Sequence, residues 1–141
     1  MELPHKASMN LAILPIENVP EIRPGMNLAE ELLKALQDSS IAIQTGDILA
    51  VTQKIVSKAE GRIVALSSIE PSAHSISIAR RMNKDPRLVE IIQRESKRIV
   101  RMRGEVLICE THHGFICANA GIDQSNVEDP DTVTLLPKDP D

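Results

Sequence analysis

A chain of 141 residues (15.5 kDa), 42% hydrophobic and 26% charged, has the length of one domain and enough apolar content for a buried core. Sixteen Lys and Arg against twenty Asp and Glu leave a net charge of −4, which gives no general pull toward nucleic acid or an anionic membrane, and the absence of Trp and Tyr removes the stacking platforms of single-strand binders. The apolar runs are too short to span a bilayer, residues 1–10 lack the apolar stretch of a secretory signal, and two cysteines, Cys109 and Cys117, are too few for a disulfide framework, so a reducing cytoplasm is the expected compartment.

In chain order, residues 1–10 read as an N-terminal extension and 11–16 as a first strand. Pro20 and Pro24 exclude helix from 19–25, which reads as an ordered loop. Asn27, with Glu30 three positions on, opens an amphipathic helix over 27–37 whose stripe is Leu28, Leu32 and Leu36. The unbroken apolar run 48–51 predicts a strand buried on both faces, and the polar residues 52–54 a loop after it. A further strand is expected at 63–66 and a helix at 71–82. Asp85-Pro86 then caps a third helix to about 98, with Glu95 as an exception within its apolar stripe. Segments 106–110 and 115–118 predict a hairpin around 111–114, followed by a polar loop from Asn119 and a last strand at 133–136. Strands and helices do not alternate strictly, so the expected class is α+β, a mixed and largely antiparallel sheet with about three helices.

Three places in this layout can carry chemistry. Residues 52–62 gather hydroxyls, an amide and two lysines just after the expected buried strand, a setting for phosphate oxygens as well as for an ordinary solvated strand end. They lack the glycine spacing of a P-loop. Residues 119–126 place Asp123 three positions before Asn126 and can present a carboxylate to a hard cation, or simply form a turn. His112 and His113, as neighbours in a strand or turn, point apart and make poor co-ligands, so an exposed hairpin tip is expected, with Cys109 and Cys117 facing each other as free thiols.

Four ordered stretches closely resemble the coenzyme F-420-0:gamma-glutamyl ligase family: Val-Pro-Glu-Ile-Arg-Pro-Gly at 19–25, Gly-Asp-Ile-Leu-Ala-Val-Thr-Gln-Lys-Ile-Val-Ser-Lys-Ala-Glu-Gly-Arg at 46–62, Lys-Asp-Pro-Arg-Leu-Val-Glu at 84–90 and His-Gly-Phe-Ile-Cys-Ala-Asn-Ala-Gly-Ile-Asp-Gln-Ser-Asn-Val at 113–127. Leu-Leu-Pro-Lys-Asp-Pro-Asp at 135–141 fits the same pattern, so the resemblance runs over 11–141. It implies a GTP-dependent ligase that joins L-glutamate to F-420-0 through an acyl phosphate, with Mg2+ or Mn2+ and K+ as a further cation. It implies Asp123 as a metal ligand, and Val19, Pro20, Glu21, Ile22, Gln53, Lys54, Lys58 and Asn126 as GTP contacts. Members are homodimers, which makes self-association the expectation here. They also continue past the Leu-Leu-Pro segment into a second half with further metal and nucleotide residues. The resemblance therefore implies an N-terminal portion holding part of a ligase site, incomplete without a separate C-terminal half. The alternative is a non-catalytic dimerisation or ligand-binding module derived from that ligase.

Overall fold

The computed structural model describes residues 11–125 and 131–139. Helix α1 (Leu28–Asp38) starts as the sequence predicts: Asn27 accepts from the Glu30 amide, and its own Nδ2 donates to Glu30 Oε1 at 2.8 Å, so cap and first turn satisfy each other. The face it buries carries Leu32, Ala35 and Leu36. Helix α2 (Gln53–Ala59) occupies a stretch that reads as a polar loop, and it brings the described helices to four against about three expected. Its fully buried side chain is Ser57, so no apolar stripe announces the helix.

Strand β1 (Ile63–Ala65) follows. Helix α3 (Ala73–Met82) is capped by Ser72, whose hydroxyl accepts from the Ser75 amide at 3.2 Å, and it ends at Asn83 in the left-handed conformation. Helix α4 (Pro86–Arg94) is capped by Asp85 with Pro86 in its first turn, as the sequence indicates. It stops well short of 98. Ser96 Oγ donates to the Ile92 carbonyl at 2.5 Å, and the chain passes into strand β2 (Ser96–Arg103), whose run of Lys and Arg hides a strand that its β-branched Ile99 and Val100 favour. The hairpin forms as expected from β3 (Val106–Thr111) and β4 (Ile116–Ala118), with Cys109 opposite Cys117 as free thiols. Strand β5 (Thr132–Thr134) pairs with β1.

All strand pairings among the described residues are antiparallel, in a three-stranded sheet of order β2-β3-β4 and a two-stranded sheet β1-β5. This is the expected α+β class, built on two small sheets. The core lies between α3, α4, the inner face of β3 and β5, where Ile78, Met82, Leu88, Ile92, Leu107 and Val133 meet. Each such aliphatic side chain contributes about 1.5–3 kcal/mol relative to leaving it in water. Glu95 is explained by Arg62, whose Nη2 lies 2.5 Å from its carboxylate while Nε donates to the Leu136 carbonyl at 2.9 Å. Glu90 ties α4 to α3, accepting from Ser75 Oγ at 2.6 Å and from the Ser72 amide at 3.0 Å.

Two expected strands are absent. Residues 11–16 and 48–51 form no ladder, and most of their apolar side chains stay open to solvent along a shared surface cleft: Leu11 is 88% exposed and Ile48 92%, with Ile13 at 84%. A strand needs a neighbour to take its backbone hydrogen bonds, and no described strand runs beside either segment. The run 48–51 has strand composition but none of the two-sided burial expected of it.

Candidate functional site

The implicated residues gather around α2. Lys54 and Lys58 are four positions apart and therefore share one face of this helix. Lys54 Nζ forms an ion pair with Asp123 Oδ2 at 2.7 Å and also donates to Ser125 Oγ at 3.2 Å. Lys58 Nζ reaches Glu21 Oε1 at 2.5 Å, and Gly25 in the same loop donates to the Ala59 carbonyl at 2.8 Å, which fastens the 19–25 loop against the end of α2. Within that loop Ile22 is the buried anchor, while Pro20 and Glu21 are exposed and Val19 is half-buried. Gln53 opens α2, its amide donating to Ser57 Oγ at 2.6 Å and to the Leu135 carbonyl at 3.3 Å. Asn126 lies outside the described residues.

Asp123 is placed by a single antiparallel bridge to Thr134, with reciprocal backbone bonds of 2.9 and 2.8 Å, so its side chain leaves on the face of β5 that α2 covers. The 3-10 turn before it (Asn119–Gly121) turns on Gly121 at φ 72°, where a Cβ would lie 2.8 Å from the Leu136 side chain. Thr134 Oγ1 is buried on the bridged position and has no hydrogen-bond partner among the described residues. The Lys54 ammonium and the Ser125 hydroxyl and amide hold the Asp123 carboxyl at a pKa of about 2. The Lys58 hydrogen bond likewise lowers that of Glu21.

An ammonium has three donors, so Lys58, resting against Glu21, can add a phosphate oxygen, whereas Lys54 already meets Asp123 and the hydroxyl and carbonyl of Ser125 and takes a phosphate oxygen only in exchange for one of them. For a divalent ion the described residues supply less: no group of three His, Cys, Asp or Glu comes together. Asp123 spends Oδ2 on Lys54 and Oδ1 on the Ser125 amide, so it could serve as one ligand of a hard cation only by exchanging Lys54 for the ion, the other oxygens coming from phosphates and water. The histidines part as expected, His112 bonding the Arg94 carbonyl at 2.9 Å and His113 the Lys138 carbonyl at 3.2 Å.

Sequence reasoning gave no warning of the Glu21–Lys58 pair or of the cleft of about 300 Å³ between Val51, Gln53, Val56, His113, Phe115, Leu136 and Pro137. Its one signal was composition: the chain's single Phe, Tyr or Trp lies 58% exposed at this cleft, outside the core.

Comparison with known proteins meets this geometry from the other side. The chain is 44% identical over 133 residues to the coenzyme F420:L-glutamate ligase of Methanothermobacter thermautotrophicus, covering 94% of this chain and 52% of that protein. It is 44% identical over 134 residues to the ligase of the same name from Methanopyrus kandleri, covering 93% and 51%, and 37% identical over 133 residues to that of Archaeoglobus fulgidus, covering 94% and 51%. The chain spans about half the length of these relatives. The family described as F420-0:Gamma-glutamyl ligase matches residues 17–141, a span that takes in α1 to β5 and every described residue of the α2 site, and the chain belongs to that family.

Proposed function

We propose that this chain forms the nucleotide-phosphate side of a GTP-dependent ligase that joins L-glutamate to F-420-0 by an amide bond, in coenzyme F420 biosynthesis. The carrying observation is the Lys54–Asp123 ion pair at 2.7 Å, which joins on one surface a cation and a carboxylate from distant parts of the sequence. In this reading Lys54 and Lys58 take phosphate oxygens, and the 19–22 loop closes over the nucleotide from the Glu21 side. Asp123 would be one ligand for Mg2+ or Mn2+, which would supply charge neutralisation on the transferring phosphoryl group, with K+ as a supporting monovalent ion. The substrate carboxylate takes the γ-phosphoryl group of GTP with release of GDP, and the glutamate amine then attacks the carbonyl of the acyl phosphate, losing a proton as phosphate leaves.

One carboxylate is a thin cation site, so turnover requires oxygen ligands beyond the described residues. The test is a ligase assay with F-420-0, L-glutamate, GTP and Mg2+, run on this chain alone and with a polypeptide matching the other half of a curated relative. Glutamyl transfer only in the mixture is the expected outcome. No transfer in either, with no GTP binding to the chain, leaves the reading without support and favours a non-catalytic module. Self-association belongs to the same proposal, supported by the outward-facing Leu11, Ile13 and Ile48. Light scattering should give twice the monomer mass, and a monomer at all concentrations would remove it.

A further inference from the structure

The cleft beside α2 has features that the phosphate-binding reading does not use. Its walls are apolar, from Val51, Val56, Leu136 and Pro137, and its volume of about 300 Å³ is at the lower end for a small-molecule site. At its mouth Phe115 and His113 stack with centroids 6.1 Å apart and planes at 30°. His113 is held in place through Nε2, which must carry the proton because the Lys138 carbonyl only accepts. Phe115 is kept on its turn by its own amide, which donates to Thr111 Oγ1 at 3.1 Å.

The polar member is Gln53. Its orientation follows from chemistry, because the Leu135 carbonyl can only accept and so must face the amide NH2. With both NH2 hydrogens directed to Leu135 and Ser57, Oε1 has no described partner and is the fixed acceptor on the cleft wall. An apolar slot with an exposed aromatic face at its mouth and one immobilised carbonyl oxygen on its wall matches a flat ring with an N–H on its edge.

We propose that this cleft binds a planar heteroaromatic ring bearing a lactam or imide N–H, the ring lying against Phe115 and the N–H donating to Gln53 Oε1. Only the identity of the ring rests on the ligase reading, which supplies two sources: the base of a nucleotide and the ring of the coenzyme substrate. The site itself stands on the geometry.

Guanosine and riboflavin, each with an edge N–H, are the probes, set against 1-methylguanosine and 3-methylriboflavin, in which that N–H is blocked. Binding to this chain is read by NMR from the Phe115 ring and Gln53 side-chain amide resonances. One parent ring should shift both sets of signals and bind at least tenfold more tightly than its methylated form, and which parent does so identifies the source. Phe115→Leu, at an exposed position that does not threaten folding, should weaken binding by about tenfold. Gln53→Met should remove the preference for the unmethylated ring while leaving the apolar contact. Phe115 resonances that neither ring moves, or equal affinity for parent and methylated forms, would overturn the proposal. GTP with Mg2+ shifting Lys54 and Lys58 but not Phe115 overturns the cleft and leaves the ligase reading intact. A ring that binds the cleft while GTP with Mg2+ perturbs neither lysine does the reverse.

Discussion

Residues 48–51 and 89–92 are both dense in aliphatic side chains, yet they end in opposite environments. Val89 and Ile92 are fully buried, Ile91 nearly so, and all join one core cluster with side chains of α3, β3 and β5, whereas Ile48 is 92% exposed and Leu49 and Val51 stay open to solvent along surface clefts. The difference is in what surrounds each run. The α4 segment brings its own cap, satisfies its backbone internally and offers its apolar side to strands already paired. The 48–51 segment makes no ladder, and its exposed backbone is left to water because no described strand runs beside it. Apolar composition therefore specifies that a segment is to be covered, while the identity of the cover depends on long-range pairing.

The largest expected effect tests that contrast directly. Ile92→Ala should cost about 2–5 kcal/mol in urea denaturation by opening a cavity in the packed core. Ile48→Ala should stay within about 0.5 kcal/mol. Comparable losses at the two positions would mean that 48–51 is packed in solution. A smaller effect probes the polar seam between the core and the α2 region: Arg62→Met removes hydrogen bonds to Glu95 and Leu136, with an expected loss of about 1.5–3 kcal/mol in the same measurement. If Glu95→Gln restores part of that loss in the double variant, the leftover buried charge was its main source.

Gly121→Ala comes next, at about 1–2 kcal/mol for a left-handed residue acquiring a Cβ, which also obliges the Leu136 side chain beside it to shift. A neutral result would show that the 3-10 turn before Asp123 relaxes easily. The smallest effect is in pH. Asp123 and Glu90 have folded pKa values of about 2, below their ordinary 3.8 and 4.5, so the native state binds fewer protons than the unfolded chain in this range. Their stabilisation is present in full above about pH 5 and is lost as pH falls through 4 toward 2. Asp123 is partly exposed and screened, so Asp123→Asn should flatten the acid limb of a stability profile slightly, and less than Glu90→Gln. An unchanged limb in both variants would remove these carboxylates from the acid response.

Much of the packed region was legible before any coordinates, because its signals are local. Asn27 and Asp85-Pro86 cap two helices within their own first turns, and the 106–118 hairpin carries its turn in the sequence. What escaped was set at a distance. Glu95 inside an apolar stripe made sense only once Arg62 was seen beside it, and β2 stayed hidden because an edge strand tolerates the Lys and Arg that disguise it. In the candidate site, residues 52–62 and Asp123 stood out by composition, while their roles came from resemblance. The pairing of Lys54 with Asp123, and of Lys58 with Glu21, could not be read from spacing, since contacts between distant segments leave no periodicity.

The pairing of β1 with β5 has a consequence for the order of assembly. Ile63 meets Thr134, and the Lys54–Asp123 and Arg62–Leu136 contacts close across similarly long stretches of chain, whereas α3–α4 and β2–β3–β4 are built from near neighbours. Loop closure over such a distance must be met before any contact rewards it, which delays pairing. Amides of α4 and β3 should therefore gain protection first in pulse-labelled hydrogen exchange during refolding, and those of β1 and β5 last. On that order, the surface that holds the lysines and Asp123 comes into existence only at the final step, together with the part of the core that β5 supplies through Val133.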